Sequence, residues 1–121
     1  MSPDPYSILH VCSRESVIGL RDQILKLHGY EVDSTLSVDA ALQLSEARDY
    51  FIVLIDVEGN GRIAMAEKLC GEIKTHKPDQ KVVFICNYRV SAETDCPDEI
   101  IRAEFNPRVM IEGLEAFLDE Q

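Results

Sequence analysis

The hydrophobic positions of this chain fall into short unbroken rows separated by helical stripes. The most complete row is Phe51-Ile52-Val53-Leu54-Ile55, which ends abruptly on the carboxylate of Asp56. A strand without polar alternation is buried on both faces, as in the middle of a parallel sheet, so this row predicts a central strand. Asp56 then stands at the carboxyl edge of the sheet, where open α/β folds place their ligands and chemistry. Ser7-Ile8-Leu9-His10-Val11-Cys12 and Lys81-Val82-Val83-Phe84-Ile85-Cys86 repeat the pattern and predict two more inner strands. Tyr30-Glu31-Val32-Asp33-Ser34 alternates instead, as a half-exposed edge strand does, and Glu99-Ile100-Ile101-Arg102-Ala103 predicts a short fifth strand.

Helical spacing fills the intervals. Val17, Leu20, Ile24 and Leu27 form an apolar stripe on a first helix, closed at Gly29, the residue type that commonly takes the left-handed position after a helix. Ser37 is a good N-cap for a second helix, which runs through Val38, Ala41 and Leu42 to about Arg48. A third helix is predicted from about Arg62 to His76, with Ala66, Leu69, Cys70 and Ile73 on one face and Lys77-Pro78-Asp79 stopping it. From Asn87 to Pro97 no helical stripe is sustained. Asn106-Pro107 supplies a cap and a first-turn proline for the last helix, which uses Met110, Ile111, Leu114, Phe117 and Leu118. This alternation implies a doubly wound parallel sheet with helices on both faces.

A length of 121 residues suits one domain, and 45% hydrophobic content is that of a globular chain. Residues 1–6 are expected to be a flexible tail and residues 7–121 the folded domain. The start Met1-Ser2-Pro3-Asp4-Pro5 lacks the basic and apolar regions of a signal peptide, and no apolar run approaches the ~20 residues of a membrane span, so the expected location is the cytoplasm. A net charge of -10, from 22 acidic against 12 basic residues, makes nucleic acid and anionic membranes poor partners.

The four cysteines, Cys12, Cys70, Cys86 and Cys96, show no paired zinc-site spacing and are read as free thiols, with Cys96 the likeliest to be exposed. His10, within an inner strand, is read as a hydrogen-bonded core imidazole before a pH sensor or ligand. Gly59-Asn60-Gly61-Arg62-Ile63-Ala64 fits the Gly-x-Gly-x-x-Ala turn of dinucleotide-binding folds. Its supporting acid is missing, because the next strand ends on Cys86 and Asn87, so an ordinary Asn-Gly turn is favoured over a flavodoxin-like small-ligand or nucleotide site.

From Ser7 to about Asp119 the layout resembles the receiver domain of two-component response regulators, a chemotaxis-regulator-like module. The resemblance is carried by Ile8-Leu9-His10-Val11 entering the first turn, Gly29-Tyr30-Glu31-Val32 opening the second strand, the central strand ending on Asp56, and Phe105-Asn106-Pro107 after the fifth. It implies a five-stranded flavodoxin-like sheet of order 2-1-3-4-5. The segment between the fourth and fifth strands is short for the family, so the fourth helix is expected to be reduced or missing.

The resemblance also implies that Asp56 is the candidate phosphoacceptor. In the family, phosphoryl transfer onto that aspartate needs an acidic pair that holds magnesium, a hydroxyl residue and a lysine, which offset the negative charge gathered in the transition state. The matching positions here are Cys12 and Ser13, Cys86, and Ala103. A thiol and a hydroxyl do not anchor Mg²⁺, a hard ion that takes charged oxygen ligands, and Arg102 should point to the sheet face opposite Ala103. Losing one such stabiliser costs about a hundredfold to a thousandfold in rate. Asp56 with Glu58 remains a weak metal candidate, and otherwise no cofactor is expected. Cys12, Asp56 and Cys86 should line one sheet edge, the thiols ~9 to 10 Å apart and too distant for a disulfide. Ile100 stands where many receivers carry a switching aromatic, a role Tyr88 could take only in space.

The reading that follows is a degenerate (pseudo) receiver that is not an enzyme. It would act on a protein partner, a sensor kinase or output protein, or form a homodimer, through the face from the fourth strand to the last helix. With no output domain after that helix, the effect is expected in trans or within a longer protein. The alternative is a phosphoacceptor with a metal site rebuilt around Asp56.

Overall fold

The computed structural model describes residues 6–57, 60–86, 94–103 and 106–120. The strands β1 (Ser7–Val11), β2 (Glu31–Thr35), β3 (Ile52–Val57), β4 (Lys81–Cys86) and β5 (Glu99–Arg102) form one sheet in the order β2-β1-β3-β4-β5. All four neighbouring pairs are parallel. The helices are α1 (Glu15–Leu27), α2 (Val38–Ala47), α3 (Ile63–His76) and α4 (Pro107–Asp119). Among the described residues no helix stands between β4 and β5, in keeping with the short connection expected there. Tyr88 and the rest of residues 87–93 lie outside the described residues, as do residues 1–5 of the expected tail.

The continuous apolar rows are buried because both faces of the sheet are covered. Leu9, Val53, Ile55, Val82 and Phe84 pack against Ala66, Leu69 and Ile73 of α3 and Ala41 of α2. Ile8, Leu54, Val83, Ile85 and Ile101 face the other way, against Leu25 of α1 and Met110, Leu114 and Phe117 of α4. Adjacent residues alternate between the two cores because side chains on a strand have a period of two. Each fully buried aliphatic side chain contributes about 1.5–3 kcal/mol, so the central rows hold most of the stability.

The predicted punctuation is present. Ser37 Oγ accepts from the Ala40 amide at 3.2 Å, and Asn106 Oδ1 accepts from the Arg108 amide at 3.0 Å. Gly29, with φ of 90°, turns the chain out of α1 into β2. Tyr6 joins the fold at this point: its carbonyl accepts from the Glu31 amide at 2.8 Å, and its ring centroid lies 5.6 Å from that of Tyr30. Among the described residues no helix is long and apolar enough to cross a membrane.

The buried face of α1 differs from the predicted stripe. Leu20 and Leu27 are 62% and 84% exposed, whereas Val17, Arg21 and Leu25 point inward. A guanidinium takes the middle of the buried face because the Asp56 carboxylate lies beneath it, 3.0 Å from Arg21 Nε. Apolar spacing alone could not anticipate that.

Helix α4 passes close to β5 at Gly113. A Cβ placed there would meet Ile101 Cγ2 at 2.9 Å, and Ile101 is itself buried. Gly113→Ala gains about 1 kcal/mol of helix propensity but forces overpacking that costs about 1–3 kcal/mol. The expected outcome is a net loss of about 1 kcal/mol, read as a lower midpoint in urea denaturation. An equal or higher midpoint would show that Ile101 yields freely.

Candidate functional site

The Asp56 side chain is only 4% exposed. Register places Leu54 of β3 beside His10 of β1, so both turn toward α1, and Asp56 follows two residues later on the same face. His10 Nε2 lies 2.7 Å from Asp56 Oδ2, and His10 Nδ1 lies 2.8 Å from Asp22 Oδ1 on α1. The other oxygen of Asp56, Oδ1, is 3.0 Å from Arg21 Nε, a close ion pair whose N–H is not aligned as a hydrogen bond. Arg21 Nη1 also donates to Met110 Sδ at 3.4 Å.

An ionised carboxylate only accepts, so an imidazole between two of them satisfies both by donating from both nitrogens. A protonated His10 would donate to both carboxylates, and the Arg21 guanidinium supplies a second positive charge beside Asp56. Two cations and two carboxylates then balance within a mostly buried cluster, in which Asp22 is the most exposed member. Burial pulls the His10 pKa down, but hydrogen bonds to Asp22 and Asp56 and their charges outweigh it, and the net shift is upward. For Asp22 burial raises the pKa, but the bonds to His10 and Ser34 and the charges of His10 and Lys26 bring it below the usual range.

The expected reading of His10 as a hydrogen-bonded core imidazole holds, with the candidate phosphoacceptor as its partner. Arg21 and Asp22 were not found by sequence reasoning. Their signal was present in Val17, Arg21 and Leu25, which share one helix face at intervals of four. Cys12 and Ala103 are each 1% exposed, and Ala103 packs in the α1–α4 core. Cys86 ends β4, as expected, but it pairs with Val57 and packs in the α2–α3 core, on the face away from the Asp56 carboxylate. Arg102, opposite Cys86 in the register, is exposed. Ser13 is exposed and Glu58 lies outside the described residues.

Magnesium does not fit this donor set. Both Asp56 oxygens face the side chains of His10 and Arg21. His10, Cys12 and Asp56 do place one donor atom each within 4.8 Å of one another, a softer set of the kind zinc takes. Its histidine and carboxylate atoms are already bonded to each other. The cavity beside Asp56, bordered by Val11, Leu36, Ile55, Arg62 and Met65, measures about 30 Å³, room for a water and not a nucleotide.

No protein-family model matches the chain, and no curated protein matches it. Solved structures do. The response regulator TrrA from Thermotoga maritima, in its complex with the histidine kinase ThkA, is 25% identical, with a TM-score of 0.78 over 98% of this chain and 99% of that one. The same protein in complex with Mg²⁺ and BeF gives a TM-score of 0.76 over 96% and 98% of the two chains, again at 25% identity. A CheY-like receiver domain protein from Methanospirillum hungatei is 22% identical, with a TM-score of 0.76 and 94% of each chain covered. The chain thus has the fold of CheY-like response regulator receiver domains.

Two predictions test the cluster. Asp56→Asn leaves two buried cations facing a neutral amide and is expected to destabilise the fold by about 3 kcal/mol, the cost of breaking a buried pair. Thermal or urea unfolding reads this, and an unchanged midpoint would mean the cluster contributes little. A raised histidine pKa adds stability that is complete below the unfolded value of about 6.5 and is lost as pH rises through the folded value. Unfolding free energy should therefore fall on the alkaline side, and His10→Gln should remove that part of the decline. A lowered Asp22 pKa acts in the other direction, its stability being lost only as pH falls below the ordinary carboxylate range.

Proposed function

We propose that this domain is a degenerate receiver that signals through protein contacts and does not pass through the usual phosphorylation cycle. One observation carries the reading: the Asp56 carboxylate is enclosed, with its two oxygens held by His10 and Arg21. Attack on a phosphoryl group requires an oxygen that is exposed and aligned with its target. Here the carboxylate is 4% exposed, and reaching a donor would require breaking a buried ion pair. The positions of the magnesium-binding pair, the hydroxyl residue and the lysine are Cys12, Ser13, Cys86 and Ala103, so no charge at those places would assist the transfer. Two cations already offset Asp56 from within, which is the condition that phosphorylation chemistry would otherwise have to create.

On this reading the domain is not an enzyme, needs no magnesium or other cofactor, and works in the cytoplasm. Its effect passes through a kinase, an output protein or a second copy of itself. The face from β4 through β5 to α4 is the favoured surface: β5 is the sheet edge, and its connection from β4 is not packed as a helix among the described residues.

Incubation with acetyl phosphate and Mg²⁺, followed by intact mass measurement, tests the proposal. The mass should not change, and BeF should not bind. A phosphoryl adduct that disappears in Asp56→Asn, with the variant shown to be folded, would falsify it and make Asp56 a working phosphoacceptor.

A further inference from the structure

Cys70 and Cys96 lie 26 positions apart in the sequence, yet both belong to the same apolar core beside α3, Cys70 within it and Cys96 packed against it. Cys70 is on α3 and fully buried, and the partly exposed Cys96 packs against the same core from the irregular segment that leads into β5. The contact is fixed at two neighbouring points. One turn beyond Cys70, Lys74 Nζ binds Asp98 Oδ2 at 2.8 Å, and Asp98 is two residues beyond Cys96. Asp98 is in turn held to β4, its carboxylate accepting from the Val82 amide at 2.8 Å and its own amide donating to the Val82 carbonyl at 2.8 Å.

Cys96 thereby covers part of α3 on the side of the sheet where no helix follows β4 among the described residues. From this geometry we infer that Cys70 and Cys96 form a reversible disulfide modification site, whose oxidant is a low-molecular-weight disulfide and whose first-reacting thiol is Cys96. The inference is separate from the Asp56 cluster and goes beyond the reading above.

The order of events follows from exposure. The Cys96 thiolate attacks one sulfur of the small disulfide, forms a mixed disulfide and releases one thiolate. Cys70 Sγ then attacks Cys96 Sγ, and its proton leaves with the second small thiol. In total the protein gives up two protons and two electrons, and one small disulfide becomes two thiols. Cys70 suits the second role: burial and its contact with Cys96 push its thiol pKa up, so it is a poor first nucleophile and reacts only when an activated sulfur is presented to it. Forming a bond of about 2.05 Å draws the segment 94–98 onto α3 and leaves the sheet in place. The connection from β4 to β5 is then fixed by a covalent bond.

The whole protein, incubated with oxidised glutathione, alkylated under denaturing conditions and measured by mass, tests this. The parent should lose two hydrogens, and trypsin should release residues 69–74 joined to residues 90–102. Cys70→Ser should instead keep one glutathione on Cys96, and Cys96→Ser should react with neither outcome. A parent that retains glutathione on Cys96 without closing, leaves Cys96 unreacted, or links through Cys12 or Cys86 would overturn the assignment.

Discussion

The structure depends on a buried electrostatic balance. Asp56 stands at the end of the central strand, enclosed by protein, and a lone carboxylate there would be costly to bury. His10 from β1 and Arg21 from α1 supply two positive charges, and Asp22 returns one negative charge to His10. Pairing of this kind seldom adds much net stability compared with an apolar core, but removing any one member leaves a charge stranded. The cluster therefore fixes how α1 sits on the sheet. It turns Arg21 inward and leaves Leu20 and Leu27 in solvent.

The same balance bears on function. A receiver that accepts a phosphoryl group must keep its aspartate accessible and bring cations to it when the reaction occurs. In this chain the cations are built into the fold and the aspartate is closed off. The similarity to TrrA and other solved receivers is one of fold and topology, extending over nearly the whole chain at 25% identity or less. It locates the carboxyl edge of the sheet, where Asp56 is paired with His10 and Arg21, as the place to look.

Across the sheet, residues 94–98 lead into β5. No helix covers the α3 side there among the described residues, and the segment before β5 is tied down by Lys74 and Asp98 and by Cys96 packing against the core that holds Cys70. The Asp56 cluster and the cysteine pair lie on opposite faces of the sheet. One face is held by charge, and the other has a contact that chemistry can tighten.

How much the sequence determined follows from the range of the interactions. The unbroken apolar rows, the Ser37 and Asn106 caps and the Gly29 turn are local signals, and strand order followed from their resemblance to a known family. Their agreement with the structure reflects period-two and period-3.6 patterning, which any buried sheet and amphipathic helix must obey. The end of β4 at Cys86 was likewise legible, because the apolar row stops there. What only tertiary structure decided is which distant polar groups meet. His10 reaches Asp56 across 46 positions, Arg21 turns inward against the apolar stripe, and Cys70 and Cys96 meet in one core with no spacing to announce it. Charge pairs and thiol contacts are set by three-dimensional proximity. A one-dimensional pattern records only which face a side chain is free to choose.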